Sequence, residues 1–419
     1  MRLLQPENIS GTRPLVVYMH RYPPEYESQQ FCGMSDLNRA ILEKYDLLYA
    51  SMAWPRQPDP ELRRGMALLE FPIAVNPASG GDKLLKTMLY YCFLPGAIRA
   101  LRRLNPDVIM CKEPLPLVAV QAARLGKPVL VAGVSDHWHA ILLGWNPLGR
   151  RLARLLERRE VSKWKKLNFM IMANTGAERN VMIRHGAAAG RVRVVNTTCP
   201  PGIFQPGDAS EIRRGLNFPA DAVVFAIHGT IRPGKGYSQL LDWWKRLVRV
   251  HPEWRLLIIG GAGGERWCRR RVAALGLEDA VKMTGWLPTQ KDVNLRLNAA
   301  DILLAIRANT PDNEGIIPSL LYHNLSVAKP TVVTALPGMA EIVRDRMDGY
   351  LYEPDNYESF KAALERAAAN PREAETIGRA GRARAMECFS IEKSTAGHMA
   401  LLEELLGGQG SGFRVQGSG

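Results

Sequence analysis

Two doubly wound α/β domains are predicted for this chain of 419 residues, on three observations. Short apolar runs, as at 15–19, 223–229 and 331–334, alternate with helix-length segments, the order of parallel strands joined by crossover helices. The runs are apolar throughout instead of alternating with polar residues, as strands covered on both faces are. At 419 residues the chain is long enough for two domains of ordinary size, each with its own core.

Composition narrows the class. Hydrophobic residues at 46% and charged residues at 23% are those of a globular protein. No run of eighteen apolar residues exists to span a bilayer, and the text at 1–14 lacks the apolar centre of a signal peptide. The six cysteines, Cys32, Cys92, Cys111, Cys199, Cys268 and Cys388, show no C-x-x-C spacing. That argues against a zinc site or a disulfide framework and fits a reducing cytoplasm. A net charge of +14 attracts phosphate in some form, whether nucleotide, nucleic acid or anionic membrane.

Taken in order, the run at 15–19 is the first strand, opening into His20-Arg21-Tyr22-Pro23-Pro24, and 46–50 is the second. The Pro- and Arg-rich text of 53–65 reads as loop. Residues 83–103 carry five basic and no acidic residues among Leu, Met, Tyr and Phe. They read either as a core helix with a basic outer face or as a helix lying in a membrane interface, with Pro95-Gly96 breaking it. Strands follow at 105–110 and 126–131, the latter leading to Ser135-Asp136-His137-Trp138-His139. The stretch 150–166 holds eight basic residues against two acidic ones and reads as a basic amphipathic helix or a solvated helix face. Strands at 169–173 and 191–196 complete the first half.

The second half opens on 223–229 and the loop Thr230-Ile231-Arg232-Pro233-Gly234-Lys235-Gly236, with a helix at 237–251. Strands at 255–264, 281–286 and 300–305 lead to the stretch around which the chain is organised, 309–343. It runs from a polar loop ending in Glu314-Gly315, through a helix, to Lys329-Pro330, the strand at 331–334 and a Pro337-Gly338 turn into another helix. Ligands of doubly wound sheets bind at the carboxyl ends of the strands, so Glu314 and the 336–341 loop are expected on one rim. Helical text covers 357–387 and 391–406, and the Gly/Ser-rich end from 407 has the composition of a flexible tail.

The order Glu314-Gly315, Lys329-Pro330, Gly338, Glu341-Ile342-Val343, Asp348-Gly349, Pro354 resembles the donor-binding segment of glycosyltransferase family 4 (group 1). These are retaining enzymes of the GT-B fold. Gly229 to Gly236 is similar to the family's G-R-L-x-x-x-K-G, Asn105 to Ile109 to its first-domain strand entry, and Asn196, Phe204 and Pro206 to its linker signature. The likeness covers 105–390 loosely and 223–354 well. Three departures stand out. Thr230 occupies the family's arginine position, Tyr322 stands where a second glutamate usually holds the nucleotide ribose, and no glycines follow the first strand. Ribose recognition is therefore expected to lean on other groups.

The resemblance implies two Rossmann-like domains facing a cleft. An acceptor-binding domain would span 1–200 and a nucleotide-sugar-binding domain 201–388. A helix at 389–407 would cross back to the first domain after a kink at Phe389-Ser390, leaving 408–419 as tail. It also implies transfer of a sugar from a nucleotide-sugar donor, UDP- or GDP-linked, to a glycan or lipid-linked acceptor. The nucleotide sugar is substrate, so no cofactor is expected. The location implied is cytoplasmic, on the inner face of the membrane.

Breaking an anomeric C–O bond leaves charge growing on a diphosphate, which fixed cations and amides must stabilise. Lys235, beside a glycine-rich strand exit and a helix start, suits that role. Glu314 would contact hydroxyls of the donor sugar. The full donor-binding set is Gly229, Thr230, Arg232, Lys235, Glu314, Gly315, Ile316, Tyr322 and Gly338. Asp136 or His137, with His139 a distant third, would orient the acceptor hydroxyl or take its proton. Plainer readings stand beside these: a solvated basic loop for Arg232 and Lys235, helix-end carboxylates for Glu314 and Asp136, a loop histidine for His137. No two aspartates are separated by a single residue and no His/Cys cluster appears, so no metal is expected. The rivals are a sugar-nucleotide epimerase, which would need more carboxylates, and a catalytically impaired partner protein binding lipid or glycan. A nucleic-acid binder has only charge in its favour.

Overall fold

The computed structural model describes residues 1–26, 34–75, 83–112, 122–132, 151, 169–184, 186–196, 201–232, 234–261, 263–310 and 313–407. They form two units. The first comprises Met1–Asn174, Arg179–Asn196 and Glu392–Gly419; the second comprises Thr175–Glu178 and Thr197–Ile391.

The first unit is built on strands β1 (Arg2–Leu4), β2 (Leu15–Met19), β3 (Asp46–Ala53), β4 (Ala67–Ala74), β5 (Val108–Cys111), β6 (Val129–Ala132), β7 (Phe169–Ala173) and β8 (Val192–Val194). Their order in the sheet is β1-β4-β3-β2-β5-β6-β7-β8. All neighbours are parallel except β1, which pairs antiparallel with β4. The order reverses between β2 and β5, so this is the switch point of the sheet. Alternation along β2 sends Val16 and Tyr18 to one core cluster and Leu15, Val17 and Met19 to the other.

The C-terminal helix Ile391–Gly407 belongs to this unit. Its Met399, Leu401, Leu402 and Leu405 join the cluster of Val16 and Tyr18. Ion pairs Lys44–Glu403 at 2.6 Å and Arg193–Glu404 at 2.7 Å flank it.

The second unit carries β9 (Val223–Thr230), β10 (Trp254–Gly261), β11 (Val281–Gly285), β12 (Ile302–Ala305), β13 (Thr331–Thr334) and β14 (Tyr350–Tyr352). The sheet order is β11-β10-β9-β12-β13-β14, parallel throughout, with its switch point between β9 and β12. One face is packed by helices Tyr237–Val250, Glu265–Leu275 and Tyr357–Ala369 around Trp244 and Phe360. Helices Gln290–Asn298, Ser319–Ser326 and Pro371–Cys388 supply side chains to two further hydrophobic clusters, Leu297 to one and Leu321 and Ala385 to the other.

Several expectations are corrected. Pro95-Gly96 does not break the helix Lys83–Leu104, which runs through Pro95. Tyr90, Leu94, Ala97, Ile98 and Leu101 bury one face of it, and this packing outweighs the lost backbone bond. The helical text from 357 is two helices, because Asn370 ends Tyr357–Ala369 and caps Pro371–Cys388 through Glu373 N. Strands β1, β4 and β14 went unrecognised, two of them only three residues long. All but Arg151 of the basic stretch 150–166 lies outside the described residues.

Candidate functional site

Three strand exits meet at the carboxyl edge of the second sheet. After β9 the chain turns through Gly229, Gly234 and Gly236, with φ of 120°, 82° and 83°. A Cβ on Gly229 would meet nothing within 4 Å, so the edge is open there. Gly236 is a different case: its Cβ would lie 2.7 Å from Ile306 Cγ2 and 3.4 Å from the carbonyl carbon of Arg307. Only glycine lets the Lys235 loop press against the chain leaving β12.

Asn313 fastens the same two segments. Its Nδ2 donates to Gly234 O at 2.9 Å and to Ala308 O at 2.8 Å, and Ala308 N donates to Gly234 O at 3.2 Å. The backbones of Lys235 and Glu314, next in sequence to the bonded residues, are thereby held side by side. The third exit joins through Gly338, whose N donates to Glu314 O at 3.0 Å. A Cβ on Gly338 would lie 2.7 Å from Gly315 O, so the start of helix Pro337–Ile342 can approach only because that side chain is absent. Glu314 and the 336–341 segment share one rim, as the strand order requires.

Beneath the rim is an aromatic and imidazole group. His228, near the end of β9, lies with its Nε2 3.0 Å from Nδ1 of His323. The His323 ring stacks on Phe204 with centroids 3.9 Å apart. Burial, reinforced by the charge of Arg307, pushes the His228 imidazole down to about 3. Burial and His228 hold His323 well below its ordinary value. Both rings are neutral at pH 7, so one nitrogen of the pair donates and the other accepts. Arg307, just past β12, is 6% exposed, and its N donates to Thr334 Oγ1 at 3.1 Å.

The structure thus brings Gly229, Thr230, Arg232, Lys235, Glu314, Gly315, Ile316 and Gly338 onto exits of one sheet edge, with Thr230, Arg232, Lys235, Glu314 and Ile316 half-buried. Tyr322 is placed otherwise. It is 1% exposed, edge-on to Phe389 at 5.4 Å, within a core cluster with Leu321 and Met339. Its neighbour His323 is the residue of that helix next to β9. Asp136, His137 and His139 lie outside the described residues. Arg307, Asn313, His228 and His323 were missed by sequence reasoning. The one available signal was a charged residue, Arg307, closing the apolar run of 302–306.

Among the described residues no group of three or more His, Cys, Asp or Glu is placed to hold a metal, and no helix is long and apolar enough to cross a membrane.

The two parallel-sheet units with a C-terminal helix are those of GT-B glycosyltransferase structures. An Anabaena protein, HepE, solved with UDP-glucose, superposes with a TM-score of 0.70 at 16% identity over 93% of this chain and 99% of that one. Sucrose-phosphate synthase from Thermosynechococcus elongatus gives 0.69 at 16% identity, over 94% and 100%. Residues 208–384 match the family model for glycosyl transferases group 1. The D-inositol 3-phosphate glycosyltransferase of Saccharomonospora viridis is 28% identical over 248 residues, 56% of each chain. That of Segniliparus rotundus is 29% identical over 245 residues, 57% of this chain and 53% of its own. The chain spans about half the length of the curated relatives it matches.

Proposed function

We propose that the chain is a retaining, metal-independent hexosyltransferase. It moves a sugar from a UDP- or GDP-linked donor to a glycan or lipid-linked acceptor at the cytoplasmic face of a membrane. The observation that carries the reading is the Asn313 clasp, 2.9 Å to Gly234 O, which joins the Lys235 loop to the Glu314 loop. In this reading the Lys235 ammonium meets the leaving diphosphate while Glu314 accepts from hydroxyls of the sugar, so charge developing on the leaving group is stabilised as the anomeric bond breaks. The structural neighbour solved with UDP-glucose puts UDP-sugars first among donors to try.

Membrane location draws on helix Lys83–Leu104. Leu89, Cys92 and Phe93 form an exposed apolar stripe at i, i+3 and i+4, continued by exposed Arg99 and Arg103. Flotation with anionic and neutral liposomes at low salt tests it, and equal recovery from both would remove this part.

Incubation with radiolabelled sugar nucleotides and a membrane extract tests the whole. Label in glycan or lipid supports transfer, and isomerised free donor supports an epimerase. A second reading, binding without turnover, is favoured by the burial of Tyr322, which leaves no carboxylate at that helix position. A donor that raises thermal stability but is neither hydrolysed nor transferred would select it.

A further inference from the structure

We propose that Arg307 binds the diphosphate of the sugar nucleotide at the switch point of the second sheet, together with Lys235. The inference rests on the reading of the chain as a sugar-nucleotide enzyme.

Position is the first argument. β12 is registered on β9 through Ile302 with Phe225 and Leu303 with Ala226. Two residues past β12, Arg307 leaves the same carboxyl edge that β9 leaves at Thr230. Arg307 therefore emerges at the crevice where ligands of doubly wound sheets bind. Its charge is felt on two sides. It lowers the proton affinity of His228 on β9 and also opposes the upward push that burial exerts on Tyr237, the first residue of the helix after the Lys235 loop. The residue adjoins the end of the Lys235 loop, its carbonyl carbon 3.4 Å from where a Cβ on Gly236 would stand.

The second argument is how firmly the residue is held. Its N is bonded to Thr334 Oγ1 at 3.1 Å, and that oxygen is 2.6 Å from Tyr352 OH. The side that faces the loop is kept close by Gly236, where a Cβ would strike Ile306. Arg307 as a whole residue is 6% exposed, so a phosphate that reaches its guanidinium meets it with little water between, where such attraction is strongest. The adjacent histidine pair is neutral and so adds no competing cation.

The third argument explains a departure. Position 230 carries threonine where the family has arginine. A guanidinium there would stand beside Arg307 and repel it, whereas a threonine beside Arg307 leaves one arginine from β12 and one lysine, Lys235, from the β9 exit. The cation has crossed the switch point to the neighbouring strand.

Calorimetric titration with UDP, GDP, uridine and guanosine tests this on the full chain. Arg307→Gln should weaken the diphosphate that the unaltered protein binds by roughly tenfold to a hundredfold while changing the matching nucleoside less than about threefold. Because Arg307→Gln could lower stability, Thr230→Arg is added in the same chain. A guanidinium restored from β9 should recover much of the diphosphate affinity, which a general loss of folding would not allow. Equal diphosphate affinity in Arg307→Gln and the unaltered protein, or equal losses for diphosphate and nucleoside, overturns the assignment. Failure of the unaltered protein to bind any of the four would overturn the sugar-nucleotide reading itself, and this inference with it.

Discussion

Each unit reverses its strand order once, at β2/β5 in the first and at β9/β12 in the second, and the two exits are built from opposite materials. Beyond β2 the chain is filled by its own rings. His20 lies 6.1 Å from Tyr18 and 5.4 Å from Tyr22, and Tyr22 stacks on Tyr26 at 4.5 Å. His20 N is already bonded to Ala50 O at 3.0 Å. A buried ion triad closes the turn, with Arg63 Nε 2.5 Å from Glu25 and its Nη1 3.2 Å from Glu70. Beyond β9 there are glycines, a lysine and open space beside Gly229. The same topology can end in an edge filled by its own side chains or in one lined by glycines. Side-chain volume at a few positions decides which.

The largest effect should come from opening the filled edge. Arg63→Met leaves Glu25 and Glu70 buried without their cation and should cost about 3–5 kcal/mol of stability, read from urea unfolding of the first unit. A loss below about 1 kcal/mol would show that the triad is not what holds that exit closed.

Next is the edge lined by glycines. Lys235→Ala should lower kcat about a hundredfold, ~2.7 kcal/mol of transition-state stabilisation, with little change in melting temperature. Arg21→Ala, the matching cation at the filled exit, should change kcat far less. Comparable losses at both positions would erase the contrast between the two edges.

A third substitution tests the close approach. Gly236→Ala forces a side chain into the left-handed region at φ 83° and against Ile306 at 2.7 Å. The cost should be about 1–3 kcal/mol, with donor KM raised because the Lys235 loop is displaced. Unchanged KM would separate the loop's position from donor binding.

The smallest effect is that of pH. His228 and His398 are depressed by burial to about 3 and about 4, and His323 lies well below its ordinary value. Folded-state values below the unfolded one mean that the unfolded chain binds more protons as pH falls through 6.5. Stability is then full above about pH 6.5 and is lost below it, by at most ~1.4 kcal/mol per pH unit for each histidine. Two of the three belong to the second unit, so its unfolding transition should depend on pH more steeply than that of the first, in urea series from pH 7.5 to 5.5. Equal slopes would contradict this distribution of buried imidazoles.

Much of the second unit was legible. The runs at 223–229 and 331–334 are apolar end to end, and Lys329-Pro330 and Pro337-Gly338 punctuate the chain at the strand boundaries. Pro95 misled because its local cost is visible in sequence, whereas the tertiary burial of Tyr90 and Leu101 that outweighs it is not. Tyr322 misled for a related reason. A motif position assigns a role by spacing, and which face of an eight-residue helix meets the core depends on what packs there, here Phe389.

Local patterning by itself determined the class of fold, the glycine-rich exit after β9 and the meeting of the Glu314 and Gly338 segments on one edge. Those follow from strand periodicity, from turn chemistry and from the rule that parallel strands expose their carboxyl ends together. Only the tertiary structure decided that Asn313 clasps Gly234, that His228 and His323 form a neutral pair and that Arg307 N is bonded to Thr334 Oγ1. These pairings join residues 79, 95 and 27 positions apart. Their existence depends on which strands become neighbours and in what register, a choice made by the packing of the whole sheet and written in no single segment.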